Sequence, residues 1–430
     1  MKLYGNHRNL NIWQLMIMSF LGLITFGTLL LKLPFVEHQN GLNWIDALFT
    51  STSAVCVTGL VTVKTSGFNV PGQLVVLLLI QLGGIGIMTM TSSFILAIRG
   101  NIRLKHRVLF SQLQDNFYLQ DANSVLQRIL AITFVTELIG GLLLFFGFLW
   151  QGLSIDKALY QGFFHSISSF CNAGFSTYDN SLIGMNVVIK YTVSLLIIMG
   201  GLGYFVIYEL MEKCKNKRKF SLHTKIVLLT TSVLIIVGVL LLALFENGQM
   251  DLSDAIFQSV TTRTAGFNTI DLNQMRFASI FLLIVLMFIG ASPGSTGGGI
   301  KTTTFFVVIY SIISVLKGKS EVIVFKRSIS NKFIIKSFAT SILYFLIISI
   351  GVLLILETSE FKLEDVLFEA VSAMGTVGLS MGITPSLNGF GKTIIILLMF
   401  VGRVGPAPFA MATLIKTKQI KIKYPREEIY

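Results

Sequence analysis

Eight apolar stretches, each about long enough to cross a bilayer, constrain this chain more than any other feature of it. They run near 12–33, 72–98, 126–150, 187–211, 224–245, 278–315, 333–356 and 391–415. About 20 apolar residues cross a hydrocarbon core of ~30 Å. Lipid offers the backbone no hydrogen-bond partner, so only helices and closed barrels can span it. Stretches this long predict helices, and the fold class expected is an all-α polytopic membrane protein with eight spanning helices. Only 13% of the residues are charged, and mean hydropathy is +0.75. A soluble domain is usually about 25% charged. That excludes a disordered chain, and a soluble enzyme would lack the polar surface it needs.

The net charge of +13 would suggest nucleic acid in a soluble protein. Here its placement gives another reason, and no nucleic-acid partner is expected. Of the 34 basic residues, 24 fall at the N-terminus, between spans two and three, four and five, six and seven, and after span eight. Cytoplasmic loops collect Lys and Arg, so both termini are expected in the cytoplasm of a multi-pass plasma-membrane protein. The run after MKLYGNHRNLN is long and has no small-residue cleavage site, so it reads as a first span and not a signal peptide. Cys56, Cys171 and Cys214 lie far apart, and the five histidines are scattered. No disulfide framework, zinc-type site or covalently bound cofactor is expected.

Each of the four outward loops carries a short, moderately apolar piece ending in a glycine. They read DALFTSTSAVCVTGLVT, GFFHSISSFCNAGFST, DAIFQSVTTRTAGFNT and DVLFEAVSAMGTVGLS, around Gly59, Gly174, Gly266 and Gly378. The spacings are 115, 92 and 112 residues, and the third copy is one residue shorter between its Phe and its Gly. The predicted architecture is four copies of span, half-helix, glycine strand and span (M1-P-M2) around a pseudo-four-fold pore. Their bounds are 1–105, 106–219, 220–325 and 326–430, the last with a basic tail.

A dehydrated cation needs oxygens in place of its water, and backbone carbonyls supply them without fixed charge. Non-helical backbone at membrane depth is tolerated where it lines a cavity. A half-helix adds the negative end of its dipole, and glycine permits the angles that turn carbonyls inward. The expected filter is Val57-Thr58-Gly59, Asn172-Ala173-Gly174, Thr264-Ala265-Gly266 and Thr376-Val377-Gly378. The fourth copy, Thr376-Val377-Gly378-Leu379-Ser380, is close to the TVGYG of potassium-channel filters.

With these residues in register, the chain from about 12 to 415 resembles the Trk/Ktr/HKT superfamily of potassium transporters, and within it the membrane subunit of Ktr systems. Trk-type relatives carry extra N-terminal spans, and none is expected here. The resemblance implies one pore per subunit, a homodimer, and selectivity glycines at Gly59, Gly174, Gly266 and Gly378, whose carbonyls would hold K+. Serine at the first of these accompanies sodium transport in plant relatives, so Gly59 implies potassium preference. It also implies a cytosolic ring of nucleotide-binding RCK subunits (KtrA-like) as regulatory partner, so a nucleotide would act only through that partner. The basic loops 99–107, 213–219 and 317–327 and the tail Lys416–Tyr430 are candidate docking surfaces, or contacts for lipid headgroups.

The sixth stretch holds Gly290, Pro293, Gly294, Gly297, Gly298 and Gly299. Each Gly costs a helix about 1 kcal/mol relative to Ala and a Pro about 3. Residues 290–304 are therefore expected to form an intramembrane loop below the filter, where the family places its gate. Gly294 to Thr302 nearly spells a phosphate-binding P-loop, but a helix precedes it where that motif needs a strand. Arg403, in the eighth stretch, is expected to face the bundle interior, bond loop carbonyls and repel cations in the closed state, with snorkelling near the cytoplasmic end as the alternative. The family carries an arginine at this place with that role. Lys301 could act likewise. Arg263 is expected to pair with Asp254 or Asp271 and brace its half-helix, with an electrostatic role at the pore mouth as the alternative. Asp46, Asp254 and Asp365 are expected to serve the positive ends of their half-helices.

The function expected is potassium uptake by channel-like flux. An interior-negative potential supplies ~2.3 kcal/mol per charge per 100 mV, enough for roughly fifty-fold accumulation. The sequence displays no buried Asp, Glu or His relay, which favours uniport, with sodium dependence left open. The alternative is a secondary transporter of an organic solute coupled to Na+ or H+, which predicts broken helices but no four-fold filter. A nucleotide-driven pump would need a soluble catalytic domain, so no enzyme activity is expected.

Overall fold

A computed structural model of the chain describes residues 12–39, 41–86, 122–216, 220–406 and 409. The basic segment 99–107, residues 217–219 and the tail from Lys416 lie outside the described residues. The described residues are helical apart from loops, three short 3-10 turns and a two-stranded hairpin, β1 (Ile323–Val324) and β2 (Arg327–Ser328).

One order of elements recurs along the chain. A long helix leads to a short one, then to an extended strand with a glycine, then to an apolar helix. The first pass is α1 (Ile12–Leu31), α2 (Trp44–Val55) and α3 (Val70–Ile85). The second is α4 (Ala122–Trp150), α5 (Ile155–Phe170) and α6 (Val187–Leu202), with α7 (Tyr204–Asn216) after it. The third is α8 (Leu222–Phe245), α9 (Leu252–Thr261) and α10 (Phe277–Phe288), with α11 (Thr302–Leu316) after it. The fourth is α12 (Asn331–Glu357), α13 (Leu363–Gly375) and α14 (Gly389–Val404).

Among the described residues, three helices are long and apolar enough to cross a membrane alone: Gln127–Trp150, Leu222–Phe245 and Asn331–Glu357. The stretch at 187–211, expected to be continuous, bends by 99° between α6 and α7. That corrects the sequence reading, and its cause is glycine. Gly203 has φ +86°, and Gly86 and Gly405, at φ +82° and +91°, end α3 and α14 in the same way. Left-handed backbone cannot continue a right-handed helix. The remainder of the second and eighth stretches falls largely outside the described residues.

An asparagine starts the apolar helix in three passes. The side chains of Asn69, Asn186 and Asn388 accept from Gly72 N, Ile189 N and Gly391 N at 3.0, 3.0 and 2.7 Å. Each satisfies a donor that the helix itself cannot. Their amides donate back to the Phe35, Gly147 and Thr358 carbonyls near the end of the preceding long helix. In the third pass Glu246 does this work, accepting from Arg276 N at 3.1 Å.

The long helix of each pass packs on its own short helix. The apolar helix packs on the short helix of the next pass: α3 on α5, α6 on α9, α10 on α13, and α14 back on α2. The end of the chain thus meets its beginning. Two of these seams are buried ion pairs, Lys190–Asp254 at 2.6 Å between α6 and α9, and Lys392–Asp46 at 2.8 Å between α14 and α2. At the α3–α5 seam Tyr160 donates to Gln73 Oε1 at 2.6 Å.

Candidate functional site

The four glycine strands meet one another in a closed ring. A Cβ on Gly59 would strike the carbonyl oxygen of Ala173, and one on Gly174 would strike that of Ala265. One on Gly266 would strike that of Val377, and one on Gly378 would strike that of Thr58. All twelve filter residues of the sequence reading therefore lie on strands of one ring, in the order 59, 174, 266, 378. The four carbonyls that precede the glycines each face a neighbouring glycine, and no side chain fits between.

The backbone of the four strands matches residue by residue. Two positions before the glycine, Val57, Asn172, Thr264 and Thr376 have φ of +54°, +59°, +72° and +49°. The glycines themselves have φ of +93°, +71°, +81° and +94°, and the residue between is not left-handed. Such alternation turns successive peptide planes so that neighbouring carbonyls point to one side. Non-glycine residues pay for left-handed backbone, so four such residues in register are held there by their surroundings. Part of the hold is hydroxyl. Ser53 and Ser372 accept from Gly59 N and Gly378 N at 3.0 Å each. Ser168 and Thr261 donate to the carbonyls of Phe175 and Phe267 at 2.8 Å.

Behind the strands, a glycine of the apolar helix touches the last turn of its own short helix. The Cβ positions of Gly83, Gly200 and Gly402 fall on the carbonyl oxygens of Val55, Phe170 and Met374. Aligned on this contact, the helices read Gly83-Gly84-Ile85-Gly86, Gly200-Gly201-Leu202-Gly203 and Gly402-Arg403-Val404-Gly405. Arg403 thus occupies the place of Gly84 and Gly201.

The break expected over 290–304 lies at 289–301, between α10 and α11, because Thr302–Thr304 already form the first turn of α11; a bridge between Ile289 and Ile300 closes its base. Ser292 N and Thr296 N donate to the Gly201 and Gly200 carbonyls at 3.1 and 3.2 Å, and Tyr204 N returns a bond to Gly294 O at 3.2 Å. The loop takes up backbone groups that the break at Gly203 frees, and it offers its own in exchange. It lies against the strands themselves. Gly297 abuts the Thr264 hydroxyl, and Gly298 N donates to Thr376 Oγ1 at 3.0 Å. Gly299 is left-handed at φ +71° and lies against Gly290, while Gly294, at φ +73°, follows Pro293 on the side of Phe205. The loop follows a helix, and Ser292, Thr296 and Gly298 have already committed their N–H groups, so a phosphate cradle is not formed.

Arg403 donates to the Thr296 carbonyl of this loop and to the Gly83 carbonyl of α3. Lys301 turns back to the Gly297 carbonyl at 2.7 Å. Three sequence expectations need correction. Arg263 pairs with neither acid. It is buried and donates to the Thr231 carbonyl at 3.4 Å, because Asp254 is taken by Lys190 and Asp271 by its own turn at Asn273. Asp46 and Asp254 do lie in first turns, but each faces a lysine of the adjacent apolar helix. Third, buried titratable groups are present. Glu137 accepts from Gln81 at 3.0 Å, His165 is enclosed in α5, and Glu369 is enclosed in α13. Alignment on the glycines could have found the last two, since both follow the Phe that every copy carries.

Residues 10–423 match the family model TrkH, described as cation transport protein. Ktr system potassium uptake protein B of Bacillus subtilis is 38% identical, over 97% of this chain and 96% of its own length. Potassium/sodium uptake protein NtpJ of Enterococcus hirae is 36% identical, over 97% and 96%. The crystal structure of the potassium transporter TrkH from Vibrio parahaemolyticus matches in fold with a TM-score of 0.75 at 17% identity. That match covers 95% of this chain and 86% of the other.

Proposed function

Because the chain belongs to the TrkH family of cation transport proteins, we propose that it carries potassium into the cell through the ring at Gly59, Gly174, Gly266 and Gly378. The observation that carries this reading is the closure of the ring, with four carbonyls and four glycines in one repeating geometry. Such a ring can replace the hydration shell of a cation without fixed charge. Both relatives are named for potassium uptake, and NtpJ for sodium as well. In this reading the four passes are M1-P-M2 repeats around one pore, and both termini are cytoplasmic. Loop 290–304 is the gate, held shut by Arg403 with Lys301 beside it. The active form is a homodimer with an RCK-type (KtrA-like) partner, in keeping with relatives named as parts of a Ktr system.

Channel-like flux rests on the ring alone, because buried Glu137, His165 and Glu369 remove the argument from a missing titratable relay. The test is potassium and sodium flux in liposomes for the wild-type chain and for Gly59→Ser. A serine Cβ would displace the Ala173 carbonyl. Potassium flux without sodium flux, with sodium admitted by the serine variant, is the expected result. No cation flux from either chain, even with Arg403→Ala added, would sink the reading.

A further inference from the structure

Thr50, His165, Gln258 and Glu369 occupy one position in the four short helices, directly after Phe49, Phe164, Phe257 and Phe368. All four are buried, yet they do different things. Glu369 reaches the chain beyond its own glycine. It accepts from the Ser380 hydroxyl, from Thr384 Oγ1 at 2.9 Å and from the backbone N–H of Met381. Ser380 Oγ in turn accepts from Gly382 N at 2.9 Å. His165 does the same in the second copy, with Nε2 at 3.0 Å from Ser176 Oγ and Nδ1 donating to the Gln161 carbonyl at 2.9 Å. Ser176 Oγ also accepts from Tyr178 N at 3.1 Å. Both serines stand two residues after their filter glycine.

The other two copies lack this tie. Thr50 Oγ1 and both amide atoms of Gln258 are buried without a hydrogen-bond partner among the described residues. The residues two beyond Gly59 and Gly266 are Val61 and Asn268. The third strand is held instead from outside, by Asn268 N donating to Ser181 Oγ at 3.0 Å. In ring order the second and fourth strands stand opposite each other. One opposite pair has the segment beyond its glycine tied to the residue that follows the helix Phe, and the other pair does not.

A buried carboxylate is costly unless its oxygens are satisfied. Three donors satisfy Glu369, and all come from residues 380–384, so the carboxylate and that segment fix each other. A carbonyl ring that can draw inward solvates a smaller cation as well as a larger one, whereas a held ring cannot. We propose that Glu369, with His165 as its counterpart on the opposite strand, is a positioning residue for cation selection that holds the outward legs of the filter at fixed width. The inference deepens the filter reading above and rests on it.

The test is the reversal potential of the reconstituted chain with potassium on one side and sodium on the other. The chains compared are wild type, Ser380→Ala, Glu369→Gln and Thr50→Val. Expected are potassium preference in wild type and in Thr50→Val, and a loss of about tenfold in the permeability ratio for Ser380→Ala and Glu369→Gln, with potassium current retained. Tenfold corresponds to ~1.4 kcal/mol of discrimination. If wild type prefers potassium and both clamp variants keep its ratio, the clamp is overturned and the filter reading stands. If Thr50→Val loses as much as they do, burial and not the clamp matters, and the inference falls. If wild type itself has no preference, the filter reading falls and takes the clamp with it. Should Glu369→Gln not fold, Ser380→Ala decides alone, since it deletes one hydroxyl.

Discussion

At the scale of single residues, the ring leaves no room for a β-carbon. Gly378 has φ +94°, and its missing Cβ is the space taken by the Thr58 carbonyl of the first copy. An alanine there meets both a strained backbone, at about 1–3 kcal/mol, and a carbonyl that must move. Gly378→Ala is expected to lower potassium uptake more than tenfold (on the order of 1.4 kcal/mol) while the protein still purifies as a folded species. Uptake by cells lacking other potassium systems, read beside size-exclusion elution, checks it. Unchanged uptake would mean that the ring is not the path. Arg403 calls for the opposite outcome. Its two bonds tie the loop at Thr296 to α3 at Gly83, so it joins three copies through one side chain. Arg403→Ala is expected to raise potassium flux in liposomes several-fold in the absence of any partner. A flux equal to wild type would remove Arg403 from the gate.

At the scale of elements, two of the seams between passes are closed by enclosed ion pairs, Lys190–Asp254 and Lys392–Asp46. The Lys190 and Asp254 side chains are each 11% exposed and 2.6 Å apart. Removing one partner strands the other, which typically costs 3–5 kcal/mol. Lys190→Met is therefore expected to lower the unfolding temperature sharply, and Lys190→Met with Asp254→Asn to recover most of the loss. Thermal unfolding of the single and double variants in detergent measures this. A double variant as unstable as the sum of its parts would mean that the two residues do not act as a pair. These seams also mark where sequence reasoning stopped. The glycine strands were legible because a Phe, a hydroxyl and a glycine recur in that order in four places, with one residue fewer between Phe and Gly in the third. The breaks at Gly86, Gly203 and Gly405 were not, because glycines inside an apolar run read equally as close helix packing. The partners of Asp46 and Asp254 were not legible either, since nothing in the local pattern points to a lysine 346 or 64 residues away.

At the scale of the whole molecule, closure is the property that matters. Lys392 reaches Asp46, α14 packs on α2, and Thr58 O lies against Gly378. A cation seated in the ring would be held by all four passes at once, so it would bind the folded protein and not the unfolded one. Such a ligand stabilises the fold by RT ln(1 + [L]/Kd), or about 2.7 kcal/mol at a hundredfold excess over Kd. Potassium is expected to raise the unfolding temperature of the detergent-solubilised protein in a saturable manner, and sodium at equal ionic strength to raise it less. The order separates the ring from a general salt effect, because screening of surface charge does not distinguish two monovalent cations. Gly59→Ser supplies the control within the same measurement. Its Cβ displaces one carbonyl of the ring, so the gap between the potassium and sodium shifts should narrow in that variant. Equal shifts for both cations in the wild-type protein would place cation recognition elsewhere in the molecule.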